Sequence, residues 1–367
     1  MTEELPMQNS EITGWGKCMP PNVLSNHDLE QLVDTSDEWI TTRTGIKERR
    51  ISHVDTSDMA AVAGLRALAA AGKEPEDVDL LLVATCTPDS IIPSTASIVQ
   101  NKMKAWNAAA MDLNAACSGF VYALVVGTNM IRGGTHKTVL VIGAEKLHYV
   151  MDFTDRATCV LFGDGAGAVV LEPTSGSHGI LASDIGLDGS VYHILQVPKD
   201  GTMGDRESPD PAMCGVSMEG QEVFRRAVTK MSESSLLSLE RAGLGLDDVD
   251  LLIPHQANVR IIDATARRLG LDESKVFVNI HSYGNTSAAT IPVALTEALE
   301  EGRIHPGSTV LFAAFGGGLT WGSVVYRWGS RVEPLGVSDA ALPPPDRDTM
   351  ELLQPNFDFF GLPEKLS

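Results

Sequence analysis

One stretch of this chain occurs twice. Ala71 to Leu81 reads AGKEPEDVDLL and Ala242 to Leu252 reads AGLGLDDVDLL, with Asp79 and Asp250 standing 171 positions apart. The same shift carries Thr138-Val139-Leu140 onto Thr309-Val310-Leu311 and Asn114 onto Asn285. A single match would be cheap in a chain rich in alanine and leucine, but one offset shared by three separated segments marks a duplicated half. At 367 residues the chain can hold two such halves, each with its own core. Apolar runs at Leu80 to Ala84, Val139 to Gly143 and Val169 to Leu171 predict buried strands, and longer segments between runs carry helical spacing. Phe120 to Met130, apolar almost throughout, predicts a helix buried on all sides. Alternating strands and helices predict an α/β body with largely parallel strands, and two packed halves put helices both outside and between two sheets. The expected division is a first half over 1–180, a second over 181–328 and a tail over 329–367. That tail holds Pro343-Pro344-Pro345, scattered acids and little periodicity, so a poorly ordered or surface-draped segment is expected. Phe357, Phe359, Phe360 and Leu362 could anchor its end.

A formal net charge of -20 and a pI of about 4.8 argue against nucleic acid or an anionic membrane as the principal partner. Any acidic partner must meet a local basic patch. Cysteines at 18, 86, 117, 159 and 214 form no C-x-x-C pair, which points to free thiols in a reducing cytosol rather than disulfides or zinc. The acidic N-terminus MTEELPMQNSE lacks an apolar core of the signal-peptide kind, and the apolar stretch Met59 to Ala71 is broken by Arg66. The expectation is a soluble cytoplasmic protein.

The candidates for chemistry lie at the ends of predicted strands. Cys117, in DLNAACSGFVYAL, stands where a strand-like segment ends and the apolar helix starts. Backbone N–H groups and the dipole there favour thiolate, the species that attacks a thioester. His255 directly follows the run Leu251 to Pro254, at the end of a buried strand, where open α/β sheets place their ligands. Asn285, in SYGNTSAAT, maps by the repeat onto the stretch just before Cys117. Singly, a cysteine among alanines is more often a core residue, such a histidine is more often structural, and an asparagine before Thr286 and Ser287 is more often a helix cap. Three polar groups at equivalent ends of two related halves make a better case for one shared site. Gly316-Gly317-Gly318 is either a flexible turn or backbone that, with the Cys117 N–H, cradles an oxyanion.

Together ACSGF, PHQAN (Pro254 to Asn258), GNTS (Gly284 to Ser287), FGGG (Phe315 to Gly318), VDTSDEWI (Val33 to Ile40) and FGDGAGA (Phe162 to Ala168) resemble β-ketoacyl-acyl-carrier-protein synthase III, from about Glu11 to Trp328. The resemblance implies the thiolase fold, with two pseudo-symmetric halves in a layered αβαβα body, and a homodimer. It implies that Cys117 is acylated by an acyl-CoA, while His255 and Asn285 hold the thioester oxygen of malonyl-acyl carrier protein as carbon dioxide leaves, and that Gly317 serves the oxyanion hole. Asn285 stands where elongating relatives are similar to one another in having a second histidine, which favours the initiating type. By the same resemblance Trp39, Arg43 and Arg156 look like the residues that hold the adenine end of coenzyme A. Thr35, Gly220, Phe224 and Asn258 match positions along the pantetheine channel.

Arg260, Arg267 and Arg268 follow PHQAN with helical spacing, and Arg225 and Arg226 extend the patch. A solvated charged face is the bland reading; on so acidic a chain a carrier-protein dock is the sharper one, and the resemblance places carrier contacts there. FGDGAGA lacks the full dinucleotide pattern and is read as a tight turn before the strand Val169 to Leu171, and no metal motif is seen. No cofactor is expected, acyl-CoA being a substrate. The tail extends past the usual family end, and Ile92 stands where some acetyl-preferring members have an aromatic, so a related enzyme priming polyketide synthesis with another donor is the alternative. A cysteine hydrolase would need His255 to deprotonate Cys117 and Asn285 to orient it. A noncatalytic carrier-binding protein would normally lack one of the three residues.

Overall fold

A computed structural model describes residues 9–198 and 214–362. The first eight residues of the acidic N-terminus and the last five of the tail lie outside them. Strands and helices are numbered along the chain. The first sheet has the order β1-β7-β6-β4-β5, from β1 (Asn9–Cys18), β7 (Gly165–Thr174), β6 (Val139–Glu145), β4 (Leu80–Ala84) and β5 (Ala109–Leu113). The second has the order β11-β12-β13-β8, from β11 (Leu251–Pro254), β12 (Thr309–Gly316), β13 (Thr320–Arg327) and β8 (Gly179–Leu187). Two short antiparallel pairs, β2 (Asn22–Ser25) with β3 (Glu48–Ile51) and β9 (Leu195–Gln196) with β10 (Ser217–Met218), lie outside them.

The 171-residue shift is visible in these bounds: it carries β4 onto β11, β6 onto β12, and the start of helix α5 (Gly119–Arg132) onto that of α9 (Thr290–Glu300). Helices α5 and α9 fill the space between the sheets. Helices α3 (Thr56–Ala71) and α4 (Thr95–Met103) cover the outer face of the first sheet, and α6 (Gly220–Ala242) and α7 (Val259–Leu269) that of the second, giving five layers. Short helices α1 (Asn26–Glu30), α2 (Asp37–Thr44) and α8 (Ile280–Tyr283) sit in connections, and α10 (Thr349–Phe360) lies in the tail.

The central strands read as unbroken apolar runs because both faces are covered. Along β4, Leu80, Leu82 and Ala84 pack into the inter-sheet core with Phe120 and Phe312, while Leu81 and Val83 join the outer cluster under α3. Truncating a side chain such as Phe312 there removes about 3 to 5 kcal/mol.

Two expectations need correction. The sheets are mixed, not largely parallel: β4 pairs in parallel with β5 and β6, and β11 with β12, but β7, β1, β13 and β8 enter antiparallel. The reason is visible between β12 and β13, where only Gly317 to Leu319 intervene, and so short a link forces a hairpin. Nor is α5 buried on all sides; Val125, Val126 and Met130 are half-buried and Asn129 is exposed.

The tail is laid over the first half. Arg66 donates to Ala340 O at 3.0 Å, and Thr349 Oγ1 donates to Val23 O at 2.8 Å. Helix α10, which the sequence reading did not assign, opens with a capping box between Asp348 and Glu351 and buries Leu352, Leu353 and Phe357, while Phe359 is exposed.

Candidate active site

A cavity of about 930 Å³ opens between the two halves, and Cys117, His255, Asn285 and Gly317 all line it. Cys117 sits in a 3-10 turn, Ala116–Ser118, that leads into α5. Gly316 allows the second half to come this close: a Cβ on it would lie 2.6 Å from the Cys117 nitrogen. The Thr320 hydroxyl contacts Ala115 O at 2.9 Å and Gly317 O at 3.1 Å, tying the glycine turn to the cysteine turn.

His255 is held at the end of β11 by its N–H to Ala313 O, 2.8 Å. Burial drives its pKa down to about 3, so the ring is neutral and carries one proton. Its Nδ1 lies 2.7 Å from the Thr290 hydroxyl, which also lies 3.0 Å from Ser287 O. Asn285 is anchored to the first half through its N–H to Leu161 O, 2.8 Å, and its carbonyl accepts from Gly163 N, 3.1 Å. Its side-chain oxygen accepts the Ser287 N–H at 2.8 Å, which leaves the carboxamide N–H₂ as its remaining donor.

The resting state of Cys117 differs from the sequence expectation. Burial pushes the thiol up to about 12, and the Ser287 hydroxyl and the residue's own N–H, which act the other way, do not offset it. Beneath it lies a cluster that sequence reasoning missed. Glu145, wholly buried at the end of β6, accepts from Cys86 N at 3.1 Å, Thr87 Oγ1 at 2.6 Å and Ser287 Oγ at 3.0 Å, and burial raises its pKa. The only signal in sequence is a carboxylate closing the apolar run VLVIGAE.

Other candidates spread outward. Trp39, Arg43, Gly220, Phe224, Asn258 and Arg260 line the cavity. The Trp39 ring is flanked by the Arg43 and Arg156 guanidiniums, 4.8 and 5.2 Å from its centroid, and Arg156 Nη1 donates to Asp34 O at 2.7 Å. Asn258 also caps α7, accepting from Arg260 N at 2.9 Å. Thr35 is not brought to the cavity; it is half-buried, and its hydroxyl has no partner among the described residues. Arg267 and Arg268 are exposed in the last turn of α7, and no carboxylate among the described residues pairs with them or with Arg260. Arg225 and Arg226 instead pair with Glu222 on their own helix. In FGDGAGA, Gly165 to Ala168 already belong to β7, and the buried Asp164 accepts from Ser52 N at 2.7 Å and His148 N at 3.1 Å. Among the described residues no group of His, Cys, Asp and Glu could hold a metal, no helix is long and apolar enough to cross a membrane, and Cys18, Cys86, Cys117 and Cys159 form no disulfide.

Family models for 3-oxoacyl-acyl-carrier-protein synthase III match residues 111–189, and for its C-terminal part residues 239–328. The chain is 54% identical over 344 residues to β-ketoacyl-acyl-carrier-protein synthase III 2 of Vibrio vulnificus strain YJ016, covering 94% of this chain and 95% of that one. It is 52% identical to β-ketoacyl-acyl-carrier-protein synthase III of Geobacillus kaustophilus strain HTA426, covering 87% and 98% respectively. The crystal structure of 3-oxoacyl-acyl-carrier-protein synthase III from Aquifex aeolicus VF5 superposes with a TM-score of 0.82 at 49% identity, over 87% of this chain and all of that one.

Proposed function

The chain belongs to the 3-oxoacyl-acyl-carrier-protein synthase III family, and from that membership we propose how its residues carry out the condensation that initiates fatty-acid synthesis. It is an acyltransferase of the condensing type with the thiolase fold. The observation that carries the residue assignment is the convergence of Cys117 from one half with His255 and Asn285 from the other on one cavity.

In the first step the Cys117 sulfur attacks the thioester carbonyl of acyl-CoA, the carbon–sulfur bond to CoA breaks, and the departing thiolate takes up the proton the cysteine released. The Cys117 and Gly317 N–H groups stabilise the tetrahedral oxyanion. In the second step malonyl-acyl carrier protein loses carbon dioxide, and the electron pair of the broken bond spreads onto the thioester oxygen. His255 and the Asn285 carboxamide donate to that oxygen. The resulting carbanion attacks the Cys117 thioester, the cysteine leaves as thiolate, and 3-oxoacyl-acyl carrier protein is released. No metal or cofactor enters.

Thr290 decides which way His255 acts. Its single hydroxyl proton goes either to Ser287 O or to His255 Nδ1. Given to Ser287, it requires Nδ1–H on the neutral ring and leaves Nε2 bare; given to Nδ1, it places the ring proton on Nε2 as the donor the second step requires. Trp39 with Arg43 and Arg156 is assigned to the adenine end of CoA, with Gly220, Phe224 and Asn258 along the pantetheine, and the α7 arginines together with Arg225 to the acidic carrier protein, while Thr35, which lies off the cavity, receives no role. A cytoplasmic homodimer fits the thiols of Cys18, Cys86, Cys117 and Cys159 and the first sheet's edge strand β5, where Met111 is exposed, as are Ile91, Ile92 and Trp106 in the first half.

The test is incubation with labelled acetyl-CoA and a panel of longer and branched acyl-CoA, then malonyl carrier protein. Label should appear on Cys117 and pass to a 3-oxoacyl product. An unlabelled Cys117 with every donor would defeat the reading. Turnover confined to donors used in polyketide priming would select the alternative.

A further inference from the structure

One wall of the cavity is backed by the tail. The segment Leu147–Val150 is a single 3-10 turn between β6 and β7, and Leu147 and Val150 face the cavity along with Cys86 and Phe162. So short a turn supports itself weakly, and its carbonyls need outside donors. Val216 N–H supplies Val150 O at 3.1 Å, and Asn356 of α10 adds to the Met151 N–H that His148 O already accepts: its Nδ2 donates to His148 O at 2.6 Å and lies 3.3 Å from both Tyr149 O and Met151 O. From the opposite side Asp164 accepts from the His148 N–H and contacts the His148 ring. The turn's own apolar side chains, with Met151 and Phe153, pack against Leu352, Leu353 and Phe357 in one buried cluster, where the Phe153 and Phe357 rings meet edge-on at 5.5 Å. Cys86, which abuts that cluster and lines the same cavity, lies 3.9 Å from the Ser287 hydroxyl that contacts Cys117, so the cluster that α10 helps to build extends to the nucleophile's end of the cavity.

We propose that the C-terminal extension is a specificity-determining element: α10, through Asn356 and Phe357, fixes Leu147 and Val150 and thereby sets which acyl groups fit beside Cys117. This rests on reading the cavity as an acyl-donor site. A pocket discriminates by roughly 10- to 200-fold per methylene, so a small displacement of this turn alters the ranking of donors. Asn356 and Phe357 act through the wall and touch no reacting atom.

The full-length chain and its Asn356→Asp variant, isosteric but unable to donate, are compared for kcat/KM with acetyl-, butanoyl-, hexanoyl- and octanoyl-CoA. The expected result is a change of about tenfold or more in the ratio between the best and worst donors, carried by KM. Decarboxylation of malonyl carrier protein should stay within about twofold, because the wall lies outside the His255 and Asn285 contacts. Four donors slowed by one common factor, or not slowed, would overturn the proposal and leave the tail a strap that adds stability only. Should Asn356→Asp fail to fold, Phe357→Leu is read in the same assay against the same criterion. If the wild-type chain accepts no donor, the condensing-enzyme reading fails by itself. The clamp is then judged by amide exchange over 148–151, which must rise at least about tenfold in either folded variant for the tail's role to survive.

Discussion

The turn that carries Cys117 is built twice. In the first half Asn114 accepts the Ala116 N–H through its side-chain oxygen at 3.1 Å; in the second Asn285 accepts the Ser287 N–H in the same way at 2.8 Å. Ala116 and Ser287 both hold left-handed backbone, with φ of 47° and 49°, and each opens a 3-10 turn running into a central helix. What differs is the neighbouring residue. Cys117 corresponds to Ala288 and His255 to Ala84, so the nucleophile is present in one copy and the imidazole in the other. The duplicated scaffold supplies position, and divergence of a few side chains supplies chemistry. The bland reading of Asn285 as a cap therefore holds at the level of the turn, Asn114 does the same in the other half, and this coexists with the role proposed for Asn285.

The comparison breaks first at the sulfur. Cys117→Ala is expected to lower condensation by about 10⁴-fold or more, and Cys117→Ala/Ala288→Cys, which moves the thiol to the equivalent turn, should restore none of it. Ala288 is wholly buried in the inter-sheet core and does not line the cavity, so a thiol there has no path to substrate. Steady-state product formation measures both variants, and recovery in the double variant would show that the halves are interchangeable. The pH dependence sharpens the same point. With the thiol pushed up to about 12, the thiolate is a minor species at neutral pH and grows with pH, so alkylation of Cys117 should rise roughly tenfold per unit from pH 7 to 10. A plateau below pH 8 would mean that the start of α5 outweighs burial.

His255 is the next difference. Replacing it by alanine, the residue its counterpart Ala84 already is, should cost condensation about a hundredfold to a thousandfold while acylation of Cys117 persists. Equal loss of both half-reactions would move His255 to the first step. Thr290→Val, which removes the proton choice at Nδ1, is expected to reduce decarboxylation of malonyl carrier protein by roughly 10- to 100-fold, with Thr290→Ser restoring most of it. An effect on stability with both half-reactions intact would leave Thr290 a packing residue.

The repeat made much of this legible. Leu80 to Ala84 was readable as β4 residue for residue because a strand covered on both faces has nothing polar to interrupt it. That Cys117, His255 and Gly317 lie together on one cavity was readable because each closes an apolar run or lies in a glycine turn, and Asn285 joined them through the repeat that maps it onto the stretch before Cys117. Strand direction was not, since it depends on whether a link crosses over or doubles back, and Gly317 to Leu319 looks like a flexible loop until its length is set against strand bounds. Glu145 and Thr290 were invisible for a different reason. Each matters through a partner from a distant segment, Ser287 for Glu145 and His255 for Thr290, and no local pattern announces such a pair. The tail helix escaped because Pro355 interrupts its pattern and its buried residues take meaning only from the wall they cover.

The smallest effect tests the strain the two turns share. A non-glycine residue in the left-handed region costs about 1 to 2 kcal/mol, and glycine relieves that at an entropic cost in the unfolded chain of roughly 0.4 to 1 kcal/mol. Ala116→Gly should therefore stabilise the protein by up to about 1 kcal/mol in urea unfolding, because the Ala116 side chain makes no hydrogen bond that would be lost. Ser287→Gly relieves the same strain but removes the hydroxyl that donates to Glu145 at 3.0 Å. Losing a bond to a buried carboxylate costs about 1.5 to 3 kcal/mol, which outweighs the relief, so this variant should be destabilised by roughly 1 kcal/mol. Opposite signs at two backbone-equivalent positions would show that the second turn is held in its conformation by the buried cluster beneath the site, whereas equal gains would mean that Glu145 contributes nothing to holding Ser287.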